Sequence, residues 1–398
     1  LSDAIYLDWN ATAPPRDDVL EAMRDAARIA WANPSSIHRL GRDARRIVED
    51  GRALVAALAS ADPRDVVFTS GGTEANNLAI RSLLRHARAA RSEENGPGAA
   101  RARPPAEAEL PRVVTSRLEH PSVTRVVEAL EADGEAHVAW LPVRPEGSIA
   151  LDALEAALAS SGTRVALVAL QAVNHETGVV QPVAEAIALA RAHGARVHVD
   201  AVQAFGKVPV TWSGADTISI AAHKLGGPKG VGALVFRPGV KLEPLLVGGA
   251  QERGLRPGTV DPIAAAGFGV AARAAADGAA RYAELAPLRD RIEAAVLDAC
   301  PGARVNGEGM RAPHVTNLAL PGWNGPELVA ALDLEGVCVS SGSACSAGTV
   351  EASPVIASMH GAERARSSIR VSLGDRTGDD AIERAVAAFR RVLARGRA

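Results

Sequence analysis

The stretch "RVHVDAVQA", Arg196 to Ala204, decides how the chain is read. It is a short apolar run that ends on a carboxylate, where an anion is costly unless it is paired. Alternation along a strand sets His198 and Asp200 on one face, with Gln203 just beyond in the following turn. Similar runs recur upstream and downstream: "DVVFTS" (65–70), "RVVTSR" (112–117), "AHVAWLPV" (136–143), "RVALVAL" (164–170), "DTISIAA" (216–222) and "VGALVFR" (231–237). Between several of them lie helical patterns such as "TEANNLAIRSLLRHAR" and "PVAEAIALARAHG", apolar at i, i+3, i+4 and i+7. Strand–helix alternation with continuous apolar strands predicts an α/β fold, a mostly parallel seven-stranded sheet covered on both faces. Ligands then sit beyond the carboxyl ends of the strands, so the loops after each strand are the places to search.

Beyond residue 262 the texture changes to Ala-rich helices (263–300, 326–335, 379–395) with short strands in "HVTNLAL" and "SSIRVSL". This predicts a large domain over 16–262 and a smaller α+β domain formed by 1–15 and 263–398. Residues 91–111 hold four prolines and Leu110 as their only large apolar side chain, and read as a flexible surface insertion. The chain has 398 residues, 47% hydrophobic and 23% charged, an ordinary globular balance. A net charge of −2 gives no electrostatic footprint for nucleic acid. No apolar run reaches the roughly 18 residues of a membrane span. The start "LSDAIYLDWNATAPP" shows no signal-peptide pattern, so the cytoplasm is the expected compartment. Cys300, Cys338 and Cys345 are odd in number and lack CxxC spacing, against a disulfide framework or a zinc site.

Lysine is scarce: among 44 basic residues only Lys207, Lys224, Lys229 and Lys241 are lysines. A lysine kept where arginine is the rule can do what guanidinium cannot, which is to form an imine. "SIAAHKLGGPKG" places Lys224 on the loop after a strand, in the same layer as Asp200. An acid able to hold a protonated ring nitrogen and an amine able to form a Schiff base are what pyridoxal phosphate demands. The third demand, a phosphate cradle, is met by "FTSGGTEANN", where Gly72 and Thr73 open a helix after a strand. Each signal alone is weak, since a Gly-Gly turn capped by Thr needs no ligand and a buried Asp is often a cap. His120 in "RLEHPSV" and Asn174 in "QAVNHETG" follow strands and face the same crevice. A lone His120 reads as a cap, whereas beside the other groups it can stack on a ring and move protons. His175 and His38 have no such case and read as structural.

Ten segments then resemble one family: "YLDWNATAPP", "NPSSIHRLGR", "SGGTEANN", "EHPSV", "NHETG", "VDAVQAFGK", "AHKLGGPKGVGAL", "GGAQERGLRPGT", "SSGSAC" and "SSIRVSLG". In this order they are similar to the cysteine desulfurases, class-V aminotransferases of the aspartate-aminotransferase-like fold. "SSGSAC" resembles the group that serves iron–sulfur cluster assembly. The resemblance implies pyridoxal 5'-phosphate bound through Lys224, with Asp200 on the pyridinium nitrogen, Gln203 on the ring oxygen and His120 stacked on the ring. It implies Gly72, Thr73 and His223 on the phosphate, joined by Thr259 from the second protomer of a homodimer. Asn174 and Arg370 would hold the substrate carboxylate, with Asn33 lining the pocket. Cys345 would take sulfur from L-cysteine as a persulfide, leave L-alanine, and pass the sulfur to an acceptor or scaffold protein. Two positions depart from the family: Ala221 stands where Ser is usual and would donate to the phosphate, and Pro257 stands where Ser is usual in the Arg-x-Gly-Thr stretch. A selenocysteine lyase, another class-V aminotransferase and a non-enzymatic sulfur-assembly scaffold remain open at this point. Cys338 and Cys300 read as structural.

Overall fold

The computed structural model describes residues 4–94, 110–160, 164–209, 211–341 and 352–395. Twelve strands follow in chain order: β1 (Ile5–Tyr6), β2 (Val66–Thr69), β3 (Arg112–Ser116), β4 (His137–Leu141), β5 (Val165–Gln171), β6 (Arg196–Asp200), β7 (Thr217–Ala221), β8 (Gly232–Phe236), β9 (Arg304–Val305), β10 (Val315–Ala319), β11 (Val337–Cys338) and β12 (Ser368–Ser372). All seven strand stretches expected before residue 240 enter one sheet, in the order β2-β8-β7-β6-β5-β3-β4. β4, β3, β5, β6 and β7 are mutually parallel, while β8 runs antiparallel to both β7 and β2. The sheet is thus mixed at one edge. β5, "VALVALQ", is apolar up to its last residue because helices cover both faces, which leaves no solvent side for polar alternation.

The larger core packs Phe68, Leu154, Val168 and Phe205 around this sheet, and the helix Pro262–Ala275 adds Ala264, Ala265, Phe268 and Ala272 to it. A second core gathers Leu7, Ile292, Leu332, Ile369 and Phe389 around the antiparallel sheet β12-β10-β9 and the β1–β11 pair. Leu7 therefore ties the N-terminal arm to the carboxyl-terminal third of the chain. The expected helix 263–300 is three helices, Pro262–Ala275, Gly278–Ala283 and Ala286–Ala299. One break falls where Gly278 lies against the backbone of Gly206: a Cβ there would sit 2.1 Å from the Gly206 carbonyl oxygen. Pro287 opens the third helix, at a position where the missing N–H costs nothing. The helix Gly72–Glu94 takes up the first residues of the expected insertion, and 95–109 lie outside the described residues. Among the described residues no helix is long and apolar enough to cross a membrane.

Candidate active site

Sheet register sets Gln171 and Asp200, the last residues of β5 and β6, side by side with Ser219 in the middle of β7. Asp200 is buried and accepts from Asn76 Nδ2 at 2.8 Å, Val202 N at 3.0 Å and Ser219 Oγ at 3.4 Å. Asn76, from the first turns of the helix that follows β2, also accepts from His198 Nε2 at 2.9 Å. Thr217 Oγ1 lies 2.9 Å from the other ring nitrogen of His198. Burial pushes His198 down to about 4, against the pull of Asp200, so the ring is neutral near pH 7. With Asn76 Oδ1 accepting, the network assigns the proton to Nε2. The carboxylate is thereby held rigidly from behind by a chain of neutral partners.

His120 follows β3 and caps the helix Pro121–Ala132, its Nδ1 accepting from Ser122 N at 3.1 Å. Ser122 Oγ, which accepts from Asn76 at 2.8 Å, donates to the same Nδ1 at 2.8 Å. Neutral His120 thus carries its proton on Nε2. Burial lowers its pKa, the Asp200 charge opposes that, and the Lys224 and Arg370 charges add to it. The cap reading of this histidine is what the structure shows, and the same ring lies close enough to Asp200, Lys224 and Arg370 to respond to their charges. His175, read from sequence as structural, stands edge-on to it at 5.2 Å. Its carbonyl accepts from Arg370 Nη1 at 2.9 Å and Asn10 Nδ2 at 3.3 Å. Beside His120, burial and then the Asp200 charge hold the Glu119 carboxyl well above the usual range.

Lys224 lies in the turn after β7, and its Nζ donates to the carbonyls of Asn10 and Ala11, at 2.9 Å for the latter. Gln203 Nε2 donates to that same Asn10 carbonyl at 3.0 Å. His223 is pushed down to about 3 by burial, then by the Lys224 charge, and its Nδ1 lies 3.2 Å from Thr12 Oγ1. The arm Asp8–Thr12 therefore closes the site from the side opposite the sheet.

Arg370, on β12, donates through Nη2 to Asp8 Oδ1 at 2.6 Å, and its buried Nε has no hydrogen-bond partner among the described residues. Asn174 is fully committed on its oxygen, which accepts from Glu176 N at 2.9 Å, Thr177 N at 2.8 Å and Thr177 Oγ1 at 3.1 Å. Its amide donates to Leu118 O at 3.0 Å, which leaves one N–H to offer. Glu176 is raised to about 7 by burial, with Ser353 and Arg370 pulling the other way.

Gly72 begins its helix directly after β2, and a Cβ there would meet Val202 Cγ2 at 2.6 Å and the Ala221 Cβ at 3.8 Å. Ala221 thus faces the helix start where its missing hydroxyl would act. Thr73 is exposed beside it. The structure does not bring every expected residue together. Asn33 is exposed on a surface shared with Trp31 and His38, and its side chain accepts from Ser35 N at 2.8 Å. Thr259 is exposed in the loop after Pro257, and Pro257 packs against Gly248. Cys345 lies outside the described residues. Asn10, Asn76, Ser122, Asp8 and Lys207 were not read as site residues from sequence. Two carried a usable signal: Asn76, as a polar residue on the turn of helix above the presumed cradle, and Lys207, as one of four lysines in the chain.

A class of protein is now defined by a doubly covered sheet with a buried acid, a lysine and a glycine-led helix start at one edge. The sequence model of the aminotransferase class-V family matches residues 5–93 and 104–384. An IscS-like cysteine desulfurase of Mycobacterium tuberculosis is 39% identical over 98% of this chain and 97% of its own length. Among solved structures, a NifS-like protein superposes with a TM-score of 0.85 at 28% identity, covering 98% of this chain and 99% of that one. SspA in complex with cysteine superposes at a TM-score of 0.77 with 29% identity, covering 93% and 99%. The chain belongs to the class-V aminotransferase family, on its cysteine desulfurase branch.

Proposed function

We propose that this cysteine desulfurase converts L-cysteine and the Cys345 thiol to L-alanine and a Cys345 persulfide, with pyridoxal phosphate held at the carboxyl edge of the sheet. The observation that carries the reading is the placement of Asp200 at the end of β6 and of Lys224 in the turn after the adjacent strand β7, with Lys224 donating to the Asn10 carbonyl and Asp200 accepting from the Asn76 amide. The donor set fits the cofactor. Lys224 would bind it covalently, Asp200 would hold its ring nitrogen, Gln203 its ring oxygen, and Gly72, Thr73 and His223 its phosphate. The tight Gly72 contact with Val202 supports this, since any side chain there would fill the cradle. When bound, pyridoxal phosphate supplies an electron sink that lets the substrate's α-C–H bond break.

The chain's own groups do the rest. Arg370 offers the unpartnered Nε to the substrate carboxylate, and Asn174 offers its remaining N–H; together these fix the amino acid's orientation. Lys224 takes the α-proton and later returns one to carbon. His120, neutral with its proton on Nε2, would be able to exchange protons with the bound substrate. The thiolate of Cys345 attacks the substrate sulfur, so an S–S bond forms as the C–S bond breaks, and alanine leaves. SspA is described in complex with cysteine, which supports L-cysteine as the substrate here. We read the protein as a cytoplasmic homodimer that places Thr259 in the partner's site and passes sulfur to an acceptor for iron–sulfur clusters. Cys345→Ser should abolish sulfide release from L-cysteine while the bound cofactor keeps its visible absorbance. Retained turnover, measured as alanine and sulfide together, would sink the assignment.

A further inference from the structure

Lys207 is a buried lysine that the reaction above does not use, 2% exposed and set one turn beyond Gln203. The charged groups acting on it are both cationic, Lys224 and Arg370, and burial with those charges brings it down to about 7. An amine so placed costs stability unless it serves a purpose, because a buried cation lacking an anion is unfavourable. Its Nζ donates to Gln203 Oε1 at 3.1 Å, while Gln203 Nε2 donates to the Asn10 carbonyl at 3.0 Å. While Lys207 is protonated, flipping that amide would set its NH2 against the ammonium, and in either state it would set its oxygen against the Asn10 carbonyl. Both contacts would be repulsive, so the orientation is fixed from two sides. One Gln203 N–H is left over.

We infer that Lys207 is a positioning residue: it holds the Gln203 amide with an N–H available to the cofactor's ring oxygen and sets a second positive charge behind Lys224. The inference rests on the pyridoxal-phosphate reading of the site. The ionisable groups around Lys207 come from several elements. His223 and Lys224 lie in the turn after β7, and Arg370 lies on β12. His314, just before β10, is held well below its usual range by burial and then by Lys207. Tyr282, Asp375 and Arg376 line with Lys207 a cavity of about 30 Å³, room for about one or two waters.

The test follows the visible absorbance of the purified holoprotein through a pH titration without substrate, in four proteins: wild type, Lys207→Met, Gln203→Leu and the double variant. Losing the charge and the oriented N–H both favour the protonated chromophore, so Lys207→Met should move the midpoint upward by about one unit. In the Gln203→Leu background the same substitution should move it less, because only the charge remains to be lost. An unchanged midpoint, or equal shifts in both backgrounds, overturns the inference. Thermal melting of the apoproteins keeps a structural role distinguishable. Lys207→Met should melt at or above wild type below pH ~7, since a costly buried ammonium is gone, and a variant that fails to fold makes Lys207 structural and overturns the inference. A wild-type chain that gains no visible band with added pyridoxal phosphate overturns the cofactor reading first, and this one with it.

Discussion

The carboxyl edge of the sheet and the N-terminal arm that closes over it are built on opposite principles. At the edge, Asp200 ends β6, His120 and Asn174 sit a few residues after β3 and β5, and register alone brings Gln171, Asp200 and Ser219 together. In the arm, Asp8 and Asn10 reach the site from the other end of the chain: Asp8 pairs with Arg370 and Asn10 offers its carbonyl to Lys224. Edge residues inherit their places from hydrogen-bonded strands. Arm residues keep theirs only while the second core holds Leu7 beside Ile369 and Phe389. The edge is therefore suited to fixing a cofactor, and the arm to shaping what approaches it.

The sharpest way to break that division is to remove the charge pair that joins the arm to β12. Arg370→Ala should lower kcat/KM for L-cysteine by about two to three powers of ten, as expected when one partner of a buried charge pair is truncated. Asp8→Ala should raise KM about tenfold, because Arg370 keeps its bond to the His175 carbonyl but loses its charged anchor. Both should retain the visible band of the bound cofactor. Loss of that band in Asp8→Ala would show that arm and edge form a single unit.

The same contrast explains what could be read from sequence. The seven sheet strands were legible because most are buried on both faces and carry short apolar runs, while β4 is only half-buried but keeps such a run. Lys224 stood out against the arginine drift, and Asp200 as a carboxylate ending an apolar strand. Asn10 and Asp8 gave no such signal, because their meaning comes from partners that chain distance hides; Lys207 shared the scarcity of lysine with Lys224, but its place beside Gln203 shows only in the fold. His175 was read as structural because its ring has no motif of its own, yet its carbonyl joins Asn10 and Arg370. The unbroken 263–300 helix failed for a different reason. Alanine periodicity is silent about breaks, and the close approach of Gly278 to Gly206 is a tertiary fact.

Glu176 sits between the two regions and gives the next test. Its carboxyl is raised from 4.5 to about 7, chiefly by burial. As pH rises through that window the unfolded chain loses this proton first, so the folded state holds more protons and stability falls. The fall should be on the order of 3 kcal/mol, complete above the folded value. Glu176→Gln should remove this contribution, read as a flatter difference between urea midpoints at about pH 5 and about pH 8. A wild-type profile that does not weaken over this range would mean that Glu176 ionises freely and the site is wetter than its burial indicates.

The smallest expected effect tests the edge alone. Ala221 is buried at the end of β7, and its Cβ faces the start of the Gly72 helix. Restoring a hydroxyl with Ala221→Ser adds a donor to a charged group, worth roughly 1.5–3 kcal/mol when the phosphate accepts it. Without the phosphate, the same hydroxyl is buried beside Val202 and costs about 1–3 kcal/mol if nothing else accepts it. The signature is a divergence: the apoprotein loses stability while cofactor affinity rises about tenfold or more. Equilibrium binding of pyridoxal phosphate, set beside urea unfolding of the apoprotein, reads both arms. If affinity stays flat while the apoprotein is unharmed, the hydroxyl has found another acceptor and the cradle does not lie between Gly72 and Ala221. The arm should be indifferent to this substitution, so an altered KM for cysteine would also count against keeping edge and arm apart.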